Sequence, residues 1–390
     1  MPTMDQYEKM SRNLDERLNS GELPTANIMV AGCTGSGKST LLNAVFGSHL
    51  AETGIGKPIT SKISEYHRDG VPIRIWDTVG LELDSKTTND SLNNIRSTIS
   101  KKAESFDQFD RIHAIWYCIN SRSNRYQDKE IEFIKSLHST GVPFIIVITQ
   151  CIGDVKDIDD FEIAIRKQNR AMKMEDINIV QVLAQPLKIR GLGELPAFGL
   201  EELVTDTMKK LPSFIKRGFA AAQRVSKAEK RAVCEEIIRD FVTGAQMGFW
   251  DKIGLINIAT TNHKIVTMFG KIVSVYNTVI PEESLFKVTK RCGLDGENIF
   301  FGLVNPLYGS YKKKITRLLE QKRQEGFSVS LEEFKKRDRA ARMIAYYGYI
   351  IIDAIEEIWE QFTEEQLKSV DLVTDMLIVI INRKLRENIQ

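Results

Sequence analysis

A chain of 390 residues has room for about two domains at ~150 residues each. Its hydrophobic content of 42% and charged content of 27% are ordinary for a globular protein, and a net charge of +2 gives no global argument for nucleic acid or an acidic partner. The five cysteines, Cys33, Cys118, Cys151, Cys234 and Cys292, form no C-x-x-C pair and no metal-ligand spacing with histidine, so they read as small core residues in a reducing compartment.

The N-terminus, Met1 to Gln6, is polar and acidic, so no signal peptide is expected. The longest uncharged apolar stretch, Met343 to Ile352, is about half the ~20 residues of a spanning helix. Residues 1–22 are expected as an N-terminal helix, set off by Glu22-Leu23-Pro24. Asn27 to Ala31 reads as a buried parallel strand, and Thr40 to Phe46 as the first turns of a helix. Ile59 to His67 alternates as a strand, Arg68-Asp69-Gly70 is a turn, and Val71 to Trp76 is a strand delivering Asp77 at its end. A helix is expected before Phe109, then buried strands at Ile112 to Ile119 and Val142 to Ile148, with a helix over 126–138 between them. A helix near 159–174, a strand at Ile177 to Leu183 and a helix at Glu201 to Leu211 follow.

Apolar strands alternating with helices predict an α/β domain over 23–212, with a mostly parallel sheet covered on both faces. From Pro212 no clear alternating strand recurs, and 213–390 is expected to be an all-α domain. Ile265, Met268, Ile272, Tyr276 and Val279 make one apolar stripe, and Val370, Val373, Leu377, Ile380 and Lys384 another. Ser330-x-x-Glu333 and Thr363-x-x-Gln366 match capping boxes.

Between the first strand and helix lies Gly32-Cys33-Thr34-Gly35-Ser36-Gly37-Lys38-Ser39, which fits G-x-x-x-x-G-K-[ST] at every fixed position. Its glycines let backbone wrap a phosphate, and the loop's N–H groups and the helix N-terminus face the anion. Lys38 is expected to reach the β- and γ-phosphates, and the Ser39 hydroxyl to ligate Mg2+. Asp77-Thr78-Val79-Gly80 is a second phosphate-sensing element: a carboxylate that holds the Mg2+ shell through water, and a Gly80 N–H that meets a γ-phosphate. Thr60 is the expected switch threonine for Mg2+ and γ-phosphate, with Thr53 the competitor.

Guanine-binding domains end the corresponding later strand with [NT]-K-x-D. Here that end reads Thr149-Gln150-Cys151-Ile152-Gly153-Asp154: Thr149 fits, Gln150 replaces the lysine, Ile152 occupies the aspartate position and the nearest acid is Asp154. Asp154 either reaches the base or caps the next helix. Leu81 follows Gly80 where many GTPases carry the water-orienting glutamine, and Gly35 stands where potassium-activated GTPases have asparagine. Hydrolysis then needs a group from elsewhere, and Arg122 and Arg125 are candidates for an arginine finger in trans or else solvated loop cations. Lys312 to Arg342 holds eleven Lys/Arg against five acids, a solvated helix face or a contact for lipid headgroups, RNA or an acidic partner.

These residues resemble the TRAFAC class of P-loop GTPases, and within it bacterial Era/HSR1-like GTPases with a C-terminal helical domain. The resemblance rests on Asn27 to Phe46, Thr53 to Thr60, Trp76 to Leu83, Trp116 to Asn120, Val147 to Gln150 and Leu195 to Leu200, and it thins beyond about residue 225. The phosphate loop is also similar to those of septin-related, GIMAP-like and chloroplast-import GTPases. That likeness implies nucleotide-dependent homodimerisation with Arg125 at the interface.

The expected activity is GTP hydrolysis to GDP with Mg2+, in a cytoplasmic switch of slow intrinsic turnover, peripheral to a membrane if its helical domain binds one. The alternatives are a dynamin-like or immunity-GTPase-like assembly protein and a nucleotide-binding scaffold, with ATP use open in each; nothing points to DNA. The nucleotide-binding set is Gly32, Thr34, Gly35, Ser36, Gly37, Lys38, Ser39, Thr40, Asp77, Gly80, Thr149, Gln150 and Asp154. The metal set is Ser39, Thr60 and Asp77, and the catalytic set is Lys38, Thr60, Gly80 and Arg125.

Overall fold

The computed structural model describes residues 23–47, 57–60, 63–68, 71–78, 87–103, 105, 107–123, 126, 128–189, 193–246, 258–294, 311–320 and 331–387. The expected helix within 1–22, the turn at 69–70 and the capping serine Ser330 lie outside these residues. The chain divides into two compact units, Met1–Glu229 and Lys230–Gln390, and the boundary expected at 212 falls inside the first.

The first unit is built on strands β1 (Ala26–Gly32), β2 (Lys57–Thr60), β3 (Ile63–Arg68), β4 (Val71–Thr78), β5 (Ala114–Asn120), β6 (Phe144–Thr149) and β7 (Asn178–Gln181). They form one sheet in the order β2-β3-β4-β1-β5-β6-β7. The pairs β4-β1, β1-β5, β5-β6 and β6-β7 are parallel, while β2-β3 and β3-β4 are antiparallel. The stretch expected as one strand over 59–67 is thus two strands paired antiparallel, with Thr60 opposite Ile63. Alternation continues through both strands, so hydropathy alone does not mark the reversal.

Its helices are α1 (Lys38–Phe46), α2 (Thr87–Ala103), α3 (Asp128–His138), α4 (Val155–Ala171), α5 (Leu200–Lys210) and α6 (Ser213–Ala222). Every residue of β1 and β6 is buried, as strands covered on both faces require. On one face Ile115, Tyr117 and Ile119 join Ile95 and Ile99 of α2, Ile131 and Phe133 of α3, and Phe161 and Ile165 of α4. On the other, Trp116 stacks on Phe46 of α1 with centroids 5.8 Å apart, and its indole N–H donates to Thr207 of α5 at 3.0 Å. Helix α6 packs against β4 and β1 through a small-residue face, where a Cβ on Gly218 would overlap the Pro24 carbonyl oxygen. A hairpin of β8 (Leu187–Ile189) and β9 (Gly193–Leu195) precedes α5. Its three-residue strands are too short to show a period.

A polar clamp holds the start of β1. The Asn27 amide nitrogen donates to the carbonyls of Phe109 and Arg111, both at 2.7 Å. The Asn27 backbone N–H donates to His113 Nδ1 at 2.9 Å, and His113 Nε2–H donates to the Gln108 carbonyl at 3.0 Å. The ring is therefore neutral, and burial, assisted by nearby Arg111, holds its pKa down at about 4.

Among its described residues the second unit is helical: the rest of α7 (Lys227–Gln246), then α8 (Ile258–Val275), α9 (Glu282–Arg291), α10 (Lys312–Glu320), α11 (Leu331–Gln361), α12 (Glu364–Lys368) and α13 (Val370–Glu387). None of the described helices is long and apolar enough to cross a membrane. Ile265, Met268, Ile272 and Tyr276 are buried as a stripe, but Val279 is 77% exposed. The stripe stops because α8 ends at Val275 and Asn277 turns the chain in a left-handed conformation. Val373, Leu377 and Ile380 of the last stripe are buried, and Thr363 and Gln366 form the expected capping box. Of the basic stretch over 312–342, Lys312, Lys313 and Lys314 are exposed, with Lys314 5.5 Å from the Tyr349 ring centroid.

This unit is tied by partly buried charge. Arg231 donates to Glu356 at 2.7 Å and to Asp353 at 2.8 Å. The Tyr276 hydroxyl donates to Glu356 at 2.9 Å, and Tyr311 donates to Asp353. Lys230, fully buried, donates to the Val275 carbonyl at 2.9 Å and lies over the Tyr276 and Trp359 rings.

Two stability outcomes follow. Between about pH 6.5 and 4 the unfolded chain binds a proton at His113 that the folded chain refuses, so stability falls as pH drops through that window. In urea titrations at pH 7 and pH 5, the wild type should lose about 2 kcal/mol more than His113→Gln; equal losses would refute the assignment. Glu356→Ala leaves Arg231 and Tyr276 short of an acceptor and should cost about 2–4 kcal/mol in the same titration, with Glu356→Gln costing clearly less.

Candidate functional site

The site is assembled where β1, β5 and β6 end. Strand β1 delivers Gly32, whose missing side chain is a steric need: a Cβ there would overlap the Cys118 carbonyl oxygen on β5. Gly35 and Gly37 have φ of 77° and 81°, a region that favours glycine. Gly37 is the N-cap of α1 and offers no side-chain cap, so the first-turn N–H groups of α1 remain available to a ligand. Thr34, Gly35, Ser39 and Thr40 are exposed along this rim, while Ser36 and Lys38 are buried.

The Lys38 ammonium spans the loop, donating to the carbonyls of Gly32 at 3.0 Å and Cys33 at 3.2 Å. The Ser36 N–H donates to the Cys33 carbonyl at 3.1 Å, and the Leu41 N–H to that of Gly37 at 3.0 Å. Burial, reinforced by Glu130, pushes the Cys33 thiol up to about 11, so it is no thiolate nucleophile at neutral pH.

Strand β4 runs beside β1 with Asp77 opposite Val30, which brings the carboxylate to the level of the loop. Burial raises Asp77 to about 6, against the pull of Lys38. Its Oδ1 is buried with no hydrogen-bond partner among the described residues. An uncompensated acceptor of this kind fits a cation's water shell. Among the described residues no group of three His, Cys, Asp or Glu side chains is placed to hold a metal. The donor set here, a serine hydroxyl and one carboxylate beside a phosphate site, is the kind Mg2+ uses instead of an all-carboxylate cage.

The other side of the loop is held by the ends of β5 and β6. Thr149 Oγ1 donates to the Ser36 carbonyl at 2.6 Å and to that of Ile119 at 3.2 Å. Gln150 adopts φ 53°, uncommon for a side-chain-bearing residue, and its Nε2 donates to the Gly35 carbonyl at 3.0 Å. Thr149 and Gln150 are thus brought against the phosphate loop. Asp154 is exposed and caps α4, its carboxylate accepting the Lys156 N–H at 2.9 Å. Gly80 and Arg125 lie outside the described residues, as do Thr53 and Leu81; Thr60 is placed as the last residue of β2.

Two residues absent from the sequence-derived set also sit here. Asn120 Nδ2 donates to the Gly35 carbonyl at 3.4 Å, and Ser121 Oγ to the Gln150 carbonyl at 2.7 Å. Their signal is positional: in parallel register Asn120 lies opposite Thr149, so the end of β5 reaches the loop wherever β6 does.

Residues 27–150 match the model of a family described as 50S ribosome-binding GTPase. No curated protein matches the chain. Similar solved structures include a probable GTP-binding protein EngB, at 17% identity and TM-score 0.32, covering 49% of this chain and 98% of that one. Era from Aquifex aeolicus, bound to GDP and aluminium fluoride, shares 18% identity at TM-score 0.33, over 57% of this chain and 68% of its own. Elongation factor SelB from Methanococcus maripaludis, with the GTP analogue GppNHp, shares 17% identity at TM-score 0.31 over 49% of this chain, which spans only 35% of SelB. With the phosphate loop in its strand–loop–helix setting, the family match identifies residues 27–150 as an Era/HSR1-like G domain of the TRAFAC class of P-loop GTPases.

Proposed function

We propose that this protein binds GTP and hydrolyses it to GDP, acting as a nucleotide-dependent switch of slow intrinsic turnover. The observation that carries the reading is the phosphate loop itself, whose carbonyls are engaged by Lys38, Thr149 and Gln150 within a GTPase-family domain. The N–H groups of Gly35, Gly37, Lys38, Ser39 and Thr40 would cradle the phosphates, while that of Ser36 stays on the Cys33 carbonyl. With two of its three N–H donors on carbonyls, the Lys38 ammonium would carry its remaining donor and its charge to the β- and γ-phosphate oxygens. Ser39 and Thr60 would hold Mg2+ directly and Asp77 through water. When bound, that ion neutralises charge on the β- and γ-phosphates. The Gly80 N–H reports the γ-phosphate.

At the base edge, Gln150 would border the nucleoside while Thr149 braces the loop. Asp154, committed to the Lys156 N–H through one oxygen, is the acid nearest in sequence to the position of the usual base-reading aspartate. Leu81 cannot orient water, so the missing catalytic group comes from a second copy or a partner, with Arg125 the residue assigned to that interface.

Calorimetric titration of GTP, GDP and ATP with Mg2+ tests the nucleotide assignment. GTP and GDP should bind, and Lys38→Ala should weaken GTP by at least about 30-fold through the loss of charge-assisted bonds. Equal affinity for ATP and GTP would sink the guanine assignment. Dilute wild-type protein without potassium should turn over below about 10⁻² s⁻¹. Light scattering at micromolar protein should show a dimer with a non-hydrolysable GTP analogue; a monomer with both that analogue and GDP would refute dimerisation.

A further inference from the structure

Asn120 is engaged at both ends of its side chain. Its Nδ2 donates to the Gly35 carbonyl, and its Oδ1 accepts the Arg122 N–H at 2.9 Å. The amide orientation follows from these partners, because one end meets a carbonyl and the other an N–H. Gly35 needs such a hold. Its φ is 77°, and beyond its two chain neighbours no atom among the described residues comes within 4 Å of where a Cβ would stand, so the hydrogen bonds to its carbonyl are what hold this peptide from outside the loop. Gln150 supplies the shorter bond to the same carbonyl and Asn120 the longer. The turn Ser121–Ser123 is laced into the arrangement: Ser121 donates to the Gln150 carbonyl at 2.7 Å, and Ser123 donates to that of Asn120 at 2.8 Å.

We propose that Asn120 is a positioning residue for nucleotide binding: it shares the Gly35 carbonyl with Gln150 and ties that peptide of the phosphate loop to the Arg122 turn. The proposal rests on the reading of the loop as a GTP site. Asn120 acts on the loop and not on the base, so its loss shortens the lifetime of bound nucleotide without altering base preference.

The test is the release of a fluorescent GDP analogue chased with excess GDP, from wild type, Asn120→Ala and Asn120→Asp. Asn120→Asp keeps the acceptor for Arg122 but turns an acceptor toward the Gly35 carbonyl. Both variants should release nucleotide about 3- to 10-fold faster, the range of one modest hydrogen bond. The aspartate variant should be at least as fast as the alanine. The ratio of GDP to ADP affinity should stay that of wild type, as should the melting temperature without nucleotide. Combined with Gln150→Ala, the alanine variant should accelerate release by more than the product of the single effects, since in each single variant the remaining amide still holds the carbonyl in part. Release within twofold of wild type in both single variants overturns the proposal, whether or not the melting temperature falls. A wild type that fails to bind the analogue overturns the GTP reading itself, and is told apart because no variant is then involved.

Discussion

A loop that binds phosphate through its N–H groups must place its carbonyl oxygens somewhere else. Each carbonyl is an obligatory acceptor, and one left unmet near the ligand would repel it. In this domain the carbonyls of Gly32 and Cys33 take the Lys38 ammonium, and Cys33 also takes the Ser36 N–H. That of Gly35 takes two side-chain amides, that of Ser36 takes Thr149, and that of Gly37 begins the α1 ladder. The donors come from α1, β5 and β6, so the loop is in order only when the parallel sheet has brought those strand ends to one level. The steric need at Gly32 expresses the same constraint from the other side, because the Cys118 carbonyl lies where a side chain would stand.

The base edge shows what survives when the usual lysine and aspartate are replaced. Gln150 keeps the grip on the Gly35 carbonyl, a task that needs only a donor of the right reach. It brings no positive charge. The left-handed backbone at Gln150 is a local strain of about 1–3 kcal/mol, of the kind that persists where surrounding structure enforces it. Ile152 cannot accept from guanine, and Asp154 already serves the first turn of α4. Loop ordering, one of two tasks that a single motif usually combines, is thus met here without the lysine.

Much of this was legible in the sequence because the signals were long or absolute. The fully buried strands β1 and β6 read as apolar runs, and the phosphate loop fits its pattern at every fixed position. The capping box at Thr363 depends on two side chains at fixed spacing, which residue order records directly. The reversal between β2 and β3, the hairpin of β8 and β9, and the end of the Ile265 stripe before Val279 were not legible. Each turns on one or two backbone conformations, to which periodicity is blind. Asn120 escaped for another reason: its role comes from register across a parallel pair, and that distance exists only in three dimensions.

The two catalytic departures, Leu81 and Gly35, bear on how such a domain keeps time. A switch leaves its triphosphate state either by hydrolysis or by losing the nucleotide. An arginine finger is worth ~10³–10⁵ in rate, so a domain lacking its own catalytic group hydrolyses slowly until a partner supplies one. While it waits, the lifetime of the bound state depends on dissociation, and dissociation depends on how firmly the phosphate loop is held. The side chains gripping the Gly35 and Ser36 carbonyls bond to loop backbone, and on the proposed reading they would set how long the domain can wait to be triggered. The proposed slow turnover would put weight on the strand ends of β5 and β6, and it is there that side-chain hydrogen bonds to the loop carbonyls converge.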